Sequence, residues 1–288
     1  MMSRVTNIKL GVFTKPWTDA IAAVADRMVA LGAEAIELPI RPGYQVTPET
    51  VKRALPEVVR VVRDRGLSIC SVAAPLDEAI IAACGDSGVP IVRTMVPIDL
   101  AKASFADTIA EHRARYRRLI PLLERTGVRI GVQNHSGQAI GSAIGLYHLL
   151  EPFDPRHVCA ILDMAHCSVA GEPTELCLDL LWSRMSDLIN FKSAYRERVN
   201  GPEAPEAVYR THWTTGRHGA FSWSDLVTEL RRRHFTGTFV LPGEYSNPGG
   251  LPQRIGDDVL PYLSTDVAYL RSLVEIASSR KGLAGAQA

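Results

Sequence analysis

Eight short runs rich in β-branched and aliphatic residues, each followed by a longer stretch of helical spacing, constrain this chain more than any other feature. The runs lie near Lys9–Thr14, Ala35–Pro39, Ser68–Ala73, Ile91–Val96, Arg129–Asn134, Cys159–Met164, Leu188–Lys192 and Thr238–Leu241. Between them, segments such as Ala20–Leu31, Glu49–Arg65, Thr108–Arg125 and Trp223–His234 repeat apolar residues at the interval of helices that bury one face. Gly32, Gly66, Gly127 and Gly237 stand where left-handed helix C-caps are expected. Pro48 and Ser222 suit helix starts, since proline has no N–H to orphan and serine can cap. Strand and helix in regular alternation predict a parallel sheet wrapped by helices, and eight such units predict a closed (β/α)₈ barrel of the α/β class. A doubly wound open sheet is the alternative, disfavoured by the absence of GxGxxG after the first run. The length of 288 residues is close to the ~250 residues typical of such barrels. Residues 1–288 therefore read as one domain, with a frayed tail of small and polar residues over Ser278–Ala288.

Acids and bases are interleaved and the formal net charge is +1, so no broad field favours nucleic acid or an anionic membrane. A small molecule is the expected partner. The five cysteines, Cys70, Cys84, Cys159, Cys167 and Cys177, are odd in number, lack CxxC spacing and fall in apolar stretches, which suits buried free thiols in a reducing cytoplasm. Met1–Lys9 has no apolar run long enough for a signal peptide, and nowhere do ~18 apolar residues follow one another, so neither export nor membrane insertion is expected. Oligomeric state stays open, a homo-oligomer included.

In a barrel of this kind, polar residues at the carboxyl ends of the strands face the pocket made by the following loops. The second run carries Glu37 in AIELPI, and the fifth carries Gln133, Asn134 and His135 in GVQNH. The sixth ends in Asp163 and His166 in ILDMAH, the seventh brings Asn190, Lys192 and Arg196 in INFKSAYR, and the eighth delivers Glu244 in VLPGEY. A carboxylate directly after CAIL or FVLPG is costly to bury unless it is paired or holds a cation, which points Asp163 and Glu244 toward function. Glu37 is balanced between a ligand contact and a pairing role. Basic clusters such as Arg231–His234 end a helix, where cations complement the dipole. Cys159, Cys167 and Cys177, with His157 and His166, match no standard zinc spacing, and Gly137–Gly145 lacks the GK[ST] ending of a phosphate loop.

Taken together, GVQNH, LDMAH with the downstream Gly171, the GRHGAFSW stretch and the terminal Glu244 resemble the motifs of the xylose-isomerase-like barrels. This family includes sugar-phosphate isomerases and epimerases, ketose 3-epimerases, hydroxypyruvate isomerase and inosose dehydratase, and the resemblance covers most of the chain. It implies a divalent-cation site at Gln133, Asp163, Asn190 and Glu244, and a small polyhydroxylated substrate held by Glu37, His135, His166 and Arg196. Gln133 stands where the epimerases carry glutamate, Asn190 where they carry histidine, and Ala139 where they carry a further carboxylate. Amide oxygens can bind Mg²⁺ or Mn²⁺, so weak binding of such an ion is expected.

Those epimerases use two metal-bound glutamates as acid and base, and Gln133 cannot accept a proton. The resemblance therefore implies one-base chemistry by Glu244, with His166 or Lys192 as acid. Such chemistry is an isomerase or lyase reaction of a small sugar, keto sugar or cyclic polyol. A non-catalytic member that recognises a sugar-like ligand is the alternative.

Overall fold

The computed structural model describes residues 8–249 and 253–284, with side chains described as far as Glu275 in the last helix. Seven strands follow in order: β1 (Ile8–Phe13), β2 (Ala35–Pro39), β3 (Ser68–Ala73), β4 (Ile91–Thr94), β5 (Arg129–Gln133), β6 (Val158–Asp163) and β7 (Met185–Asn190). The chain then departs into an antiparallel hairpin, β8 (Ser193–Arg198) and β9 (Tyr209–Thr214), before β10 (Gly237–Leu241) closes the barrel between β7 and β1. Every ladder of the closed eight-stranded sheet is parallel, from β1 on β2 through β6 on β7 to β10 on β1. The barrel is the fold expected from the alternating pattern.

Burial follows from sequence in a direct way. Strand β2 is buried at every position, as a strand packed on both faces must be, and so reads as a continuous run. Inside the barrel Phe13, Ala35, Cys70, Ala73, Ile91, Ile161, Leu188 and Val240 form a compact plug. Outside, helix α1 (Ile21–Leu31), helix α2 (Val51–Arg63), helix α3 (Glu78–Ser87) and helix α4 (Phe105–Thr126) cover the first four strands. In α2 the buried residues are Val51, Leu55, Val58 and Val62, one stripe of an otherwise polar helix. Helices α5 (Ala143–Leu150), α6 (Met164–Val169), α7 (Thr174–Leu181), α8 (Trp223–Arg232) and α9 (Leu260–Ala284) complete the layer. Ser222 caps α8 by accepting from the Asp225 N–H, as expected.

Two local expectations are corrected. Gly237 caps no helix: His234, at φ 57°, takes the left-handed turn after α8, and Gly237 opens β10. A Cβ at Gly237 would lie 2.1 Å from the Asp187 carbonyl oxygen, so close approach between neighbouring strands demands glycine there. The seventh strand also ends at Asn190, leaving Lys192 beyond it at the root of the hairpin. Backbone helix continues through the polar tail to Ala284, and residues 285–288 lie outside the described residues.

Candidate active site

Asp163 ends β6 and caps α6 at once, its Oδ1 accepting the Ala165 N–H at 3.1 Å. Its position is fixed from the side by Asn134, whose Oδ1 accepts the Asp163 N–H at 2.8 Å and whose Nδ2 donates to the Asp163 carbonyl at 3.0 Å. The Asn134 amide thus extends the ladder where β5 has already ended. One turn into α6, His166 is fully buried, and its Nδ1 accepts the Ser136 N–H at 3.2 Å. A backbone N–H can only donate, so Nδ1 carries no proton and the neutral ring keeps its hydrogen on Nε2, which lies 3.6 Å from Asp163 Oδ2. The His135 ring packs against that of His166, with centroids 4.1 Å apart and planes tilted by 38°.

A chain of buried polar contacts crosses the floor. Glu37 Oε1 accepts from Ser71 Oγ and from Arg93 Nε, both at 2.7 Å. Arg93 also donates to Gln133 Oε1, and Gln133 Nε2 donates to Asp163 Oδ2 at 2.9 Å. On the opposite side, Glu244 follows β10 and is gripped by two ammonium groups: Lys15 donates to Oε1 at 2.6 Å and Lys192 donates to Oε2. Lys192 Nζ also lies 3.5 Å from His166 Nε2 and 3.7 Å above the Trp213 ring, which β9 supplies as a cover.

The charges shape each other. Burial tends to raise the Glu244 carboxyl, but Lys192 and Lys15 outweigh it and hold the group well below the usual carboxylate range. Burial pushes Asp163 up to about 6 against the pull of Lys192. Burial and then the Lys192 charge drive His166 well below its ordinary value, and the same two causes lower His135.

The structure therefore brings together Glu37, Gln133, His135, Asp163, His166, Lys192 and Glu244. Asn190 is buried beside them, paired in register with Asp163, and its amide makes no hydrogen bond to another described residue. Arg196 stands apart on the exposed hairpin, its guanidinium over the Tyr209 ring at 5.0 Å. Sequence reading missed Lys15, Arg93, Ser136 and Trp213. An arginine inside the apolar run IVRT is a signal in itself, because a strand charge facing a barrel interior needs a buried partner. The glycines of GRHG have a packing cause: a Cβ at Gly216 would meet the Trp223 ring at 2.5 Å, and one at Gly219 would meet Ser193 at 2.5 Å.

Of the four residues read as a divalent-cation site, all but Asn190 already have partners. Gln133 Oε1 faces a guanidinium, both Glu244 oxygens face ammonium groups, and Asp163 accepts from an amide and a backbone N–H. A dication would enter beside Arg93, Lys15 and Lys192 and would have to displace the lysines from Glu244, so this arrangement does not fit one. Elsewhere Cys167, Glu172 and Cys177 hold their ligand atoms within 4.8 Å of one another. The Glu172 carboxylate there accepts the Ala143 and Ile144 N–H groups, while hydrogen bonding to Cys177 and burial keep Cys167 protonated.

The sequence profile of the xylose isomerase-like TIM barrel family matches residues 25–265. No curated protein sequence matches the chain. Among solved structures, the probable 3-DHS dehydratase AsbF of Bacillus anthracis superposes with a TM-score of 0.67 at 16% identity, over 91% of this chain and 98% of that one. L-ribulose 3-epimerase gives a TM-score of 0.70 at 11% identity, over 96% and 98% of the two chains. A xylose isomerase-like TIM barrel protein from Mycobacterium smegmatis in complex with magnesium gives 0.67 at 16% identity, over 94% and 97%. At such identities the likeness carries the fold, and the solved neighbours include sugar epimerases and dehydratases. The profile match spans most of the chain, its motifs lie at the strand ends where the closed barrel gathers them, and the protein belongs to the xylose isomerase-like TIM barrel family.

Proposed function

We propose that this protein is an isomerase or lyase of a small sugar, keto sugar or cyclic polyol. The observation that carries the reading is the Lys192 ammonium bonded to the Glu244 carboxylate beside His166, an electrophile and a base held at one point of the barrel mouth. Glu244 is kept ionised by its two lysines and accepts the proton from the carbon next to the substrate carbonyl. Lys192 spends one donor on Glu244 and has others to offer the oxygen that gains charge as that proton leaves. His166, neutral and fixed through Nδ1, holds a substrate hydroxyl, with His135 beside it. Two-base epimerisation is disfavoured, since Gln133 takes no proton and faces Arg93.

Mg²⁺ or Mn²⁺ would compete with the two lysines for Glu244 and with the Gln133 amide for Asp163, and we expect weak binding at most. Buried free thiols support a reducing, cytoplasmic setting, and among the described residues no helix is long and apolar enough to cross a membrane. The partner is a small polyhydroxylated compound rather than nucleic acid or a membrane.

The test is hydrogen–deuterium exchange at the carbon next to the carbonyl, followed by NMR over a panel of ketoses, aldoses and cyclic polyols. Glu244→Gln is expected to keep the fold and lower exchange about 10²–10⁴-fold, the usual contribution of a general base. A second reading, ligand binding without turnover, is favoured by one fact: both Glu244 oxygens accept ammonium donors, which lowers basicity. Binding without exchange across the panel would establish it.

A further inference from the structure

Arg41 lies just beyond β2, in the loop over the barrel mouth, and its guanidinium has no ion pair or side-chain hydrogen bond with any described residue. It lines a cavity of about 570 Å³ together with Arg93, His135, Ser136 and Gln138, and no carboxylate is among the described residues lining it. The volume is within the ~300–1,000 Å³ of small-molecule pockets. The cavity opens off the reactive cluster, because Ser136 is bonded to His166 and Arg93 to Glu37 and Gln133. Arg41 and Arg93 both lie on the Phe13 ring, at 5.8 and 4.6 Å from its centroid. Arg93 is paired with Glu37, and Lys15 and Lys192 share Glu244, so Arg41 is the one of these four cations with no carboxylate partner among the described residues. A half-buried guanidinium beside a second one costs free energy that an anion between them would return. Burial first, and then Arg93, press the Arg41 group below its ordinary value.

From this geometry we propose that the substrate carries an anionic group, a carboxylate or a phosphate, which Arg41 binds in the cavity while the carbonyl end lies at Lys192 and Glu244. The proposal rests on the isomerase or lyase reading for the position of the carbonyl, but the anion site itself does not depend on turnover. A planar guanidinium offers paired donors matched to carboxylate and phosphate oxygens, which a neutral hydroxyl group cannot fill as well.

Three compounds of one carbon framework test this: D-fructose, 2-keto-D-gluconate and D-fructose 6-phosphate, each titrated calorimetrically at low and high salt. At least one of the anions is expected to bind about tenfold or more tightly than fructose, as a charge-assisted hydrogen bond would require, and to weaken with salt. The tighter of the two identifies the group. Arg41→Gln is expected to bring the anion to the level of fructose and leave fructose unchanged, while Arg41→Lys keeps part of the preference. Equal binding of neutral and anionic compounds, an anion preference that survives Arg41→Gln, or binding of none of the three would overturn the proposal. Deuterium exchange on the same compounds separates the two readings. Arg41-dependent anion binding without exchange retains the anion site and removes the enzyme, whereas exchange on fructose with no anion preference does the reverse.

Discussion

Glu37 and Arg93 are 2% and 6% exposed, and each answers for the other's burial. A carboxylate so placed is tolerable only because Arg93 Nε and Ser71 Oγ both donate to it, and Arg93 in turn reaches Gln133. Removing one partner should therefore hurt more than removing both. Arg93→Met is expected to cost about 3–5 kcal/mol in urea denaturation, the usual penalty for stranding a buried charge. Glu37→Gln in that background should recover part of the loss. Strictly additive effects would mean that the two do not act as a pair. Glu37 was legible in AIELPI as a strand-end carboxylate that either meets a ligand or pairs, but its partner was not, since nothing in one sequence says which of the chain's many arginines faces it. Asn134 illustrates the same limit. Its place in GVQNH was visible, whereas its role as a side-chain rung between two strand ends depends on where β5 stops.

At the scale of elements, the eight barrel strands were legible and the hairpin was not. Barrel strands are apolar on both faces and stand out against polar helices, while β8 is largely exposed, β9 is mostly part-buried, and both are polar, with no apolar alternation to mark them. Their contribution is local: β9 sets Trp213 against Lys192 and edge-on to His166 at 5.0 Å, and the Trp213 backbone N–H donates to Ser246 Oγ at 3.0 Å in the segment after Glu244. The indole both shields the Lys192–Glu244 pair from water and holds the ammonium by its ring face. Trp213→Ala is expected to weaken ligand binding by roughly 5- to 30-fold, equivalent to ~1–2 kcal/mol of cation–π and packing energy. Thermal stability should fall modestly, because the Trp213–Lys192 contact is lost while the barrel ladder, which excludes the hairpin, stays intact. Unchanged affinity would remove Trp213 from the site. The same exposed hairpin explains the position of Arg196, which follows the β8 strand outward once the chain leaves β7.

The whole barrel is tied to its last helix at one buried acid. Asp266 of α9 accepts the Gly216 N–H at 2.7 Å and the Tyr245 hydroxyl at 2.8 Å, joining the segments that follow β9 and Glu244. Burial raises its carboxyl to about 6 from the ordinary 3.8. A raised folded-state value favours the protonated acid, so this stabilising contribution is full below pH ~4 and is lost as pH rises through about 6. A rise of that size limits the contribution to about 3 kcal/mol. Asp266→Asn keeps an acceptor and a donor but cannot titrate. The stability of the wild type relative to Asp266→Asn is expected to fall between pH 4 and 7, and parallel pH profiles for the two would contradict this. What the fold finally presents is a mouth whose cations are its own side chains, Lys15, Lys192 and Arg93, set against Glu244, Asp163 and Glu37. Substrate deuterium exchange by protein stripped with a chelator tests that most directly. Exchange is expected to persist without metal and to be lost in Lys192→Met, whereas exchange that is absent until Mn²⁺ is added, or that survives Lys192→Met, would contradict it.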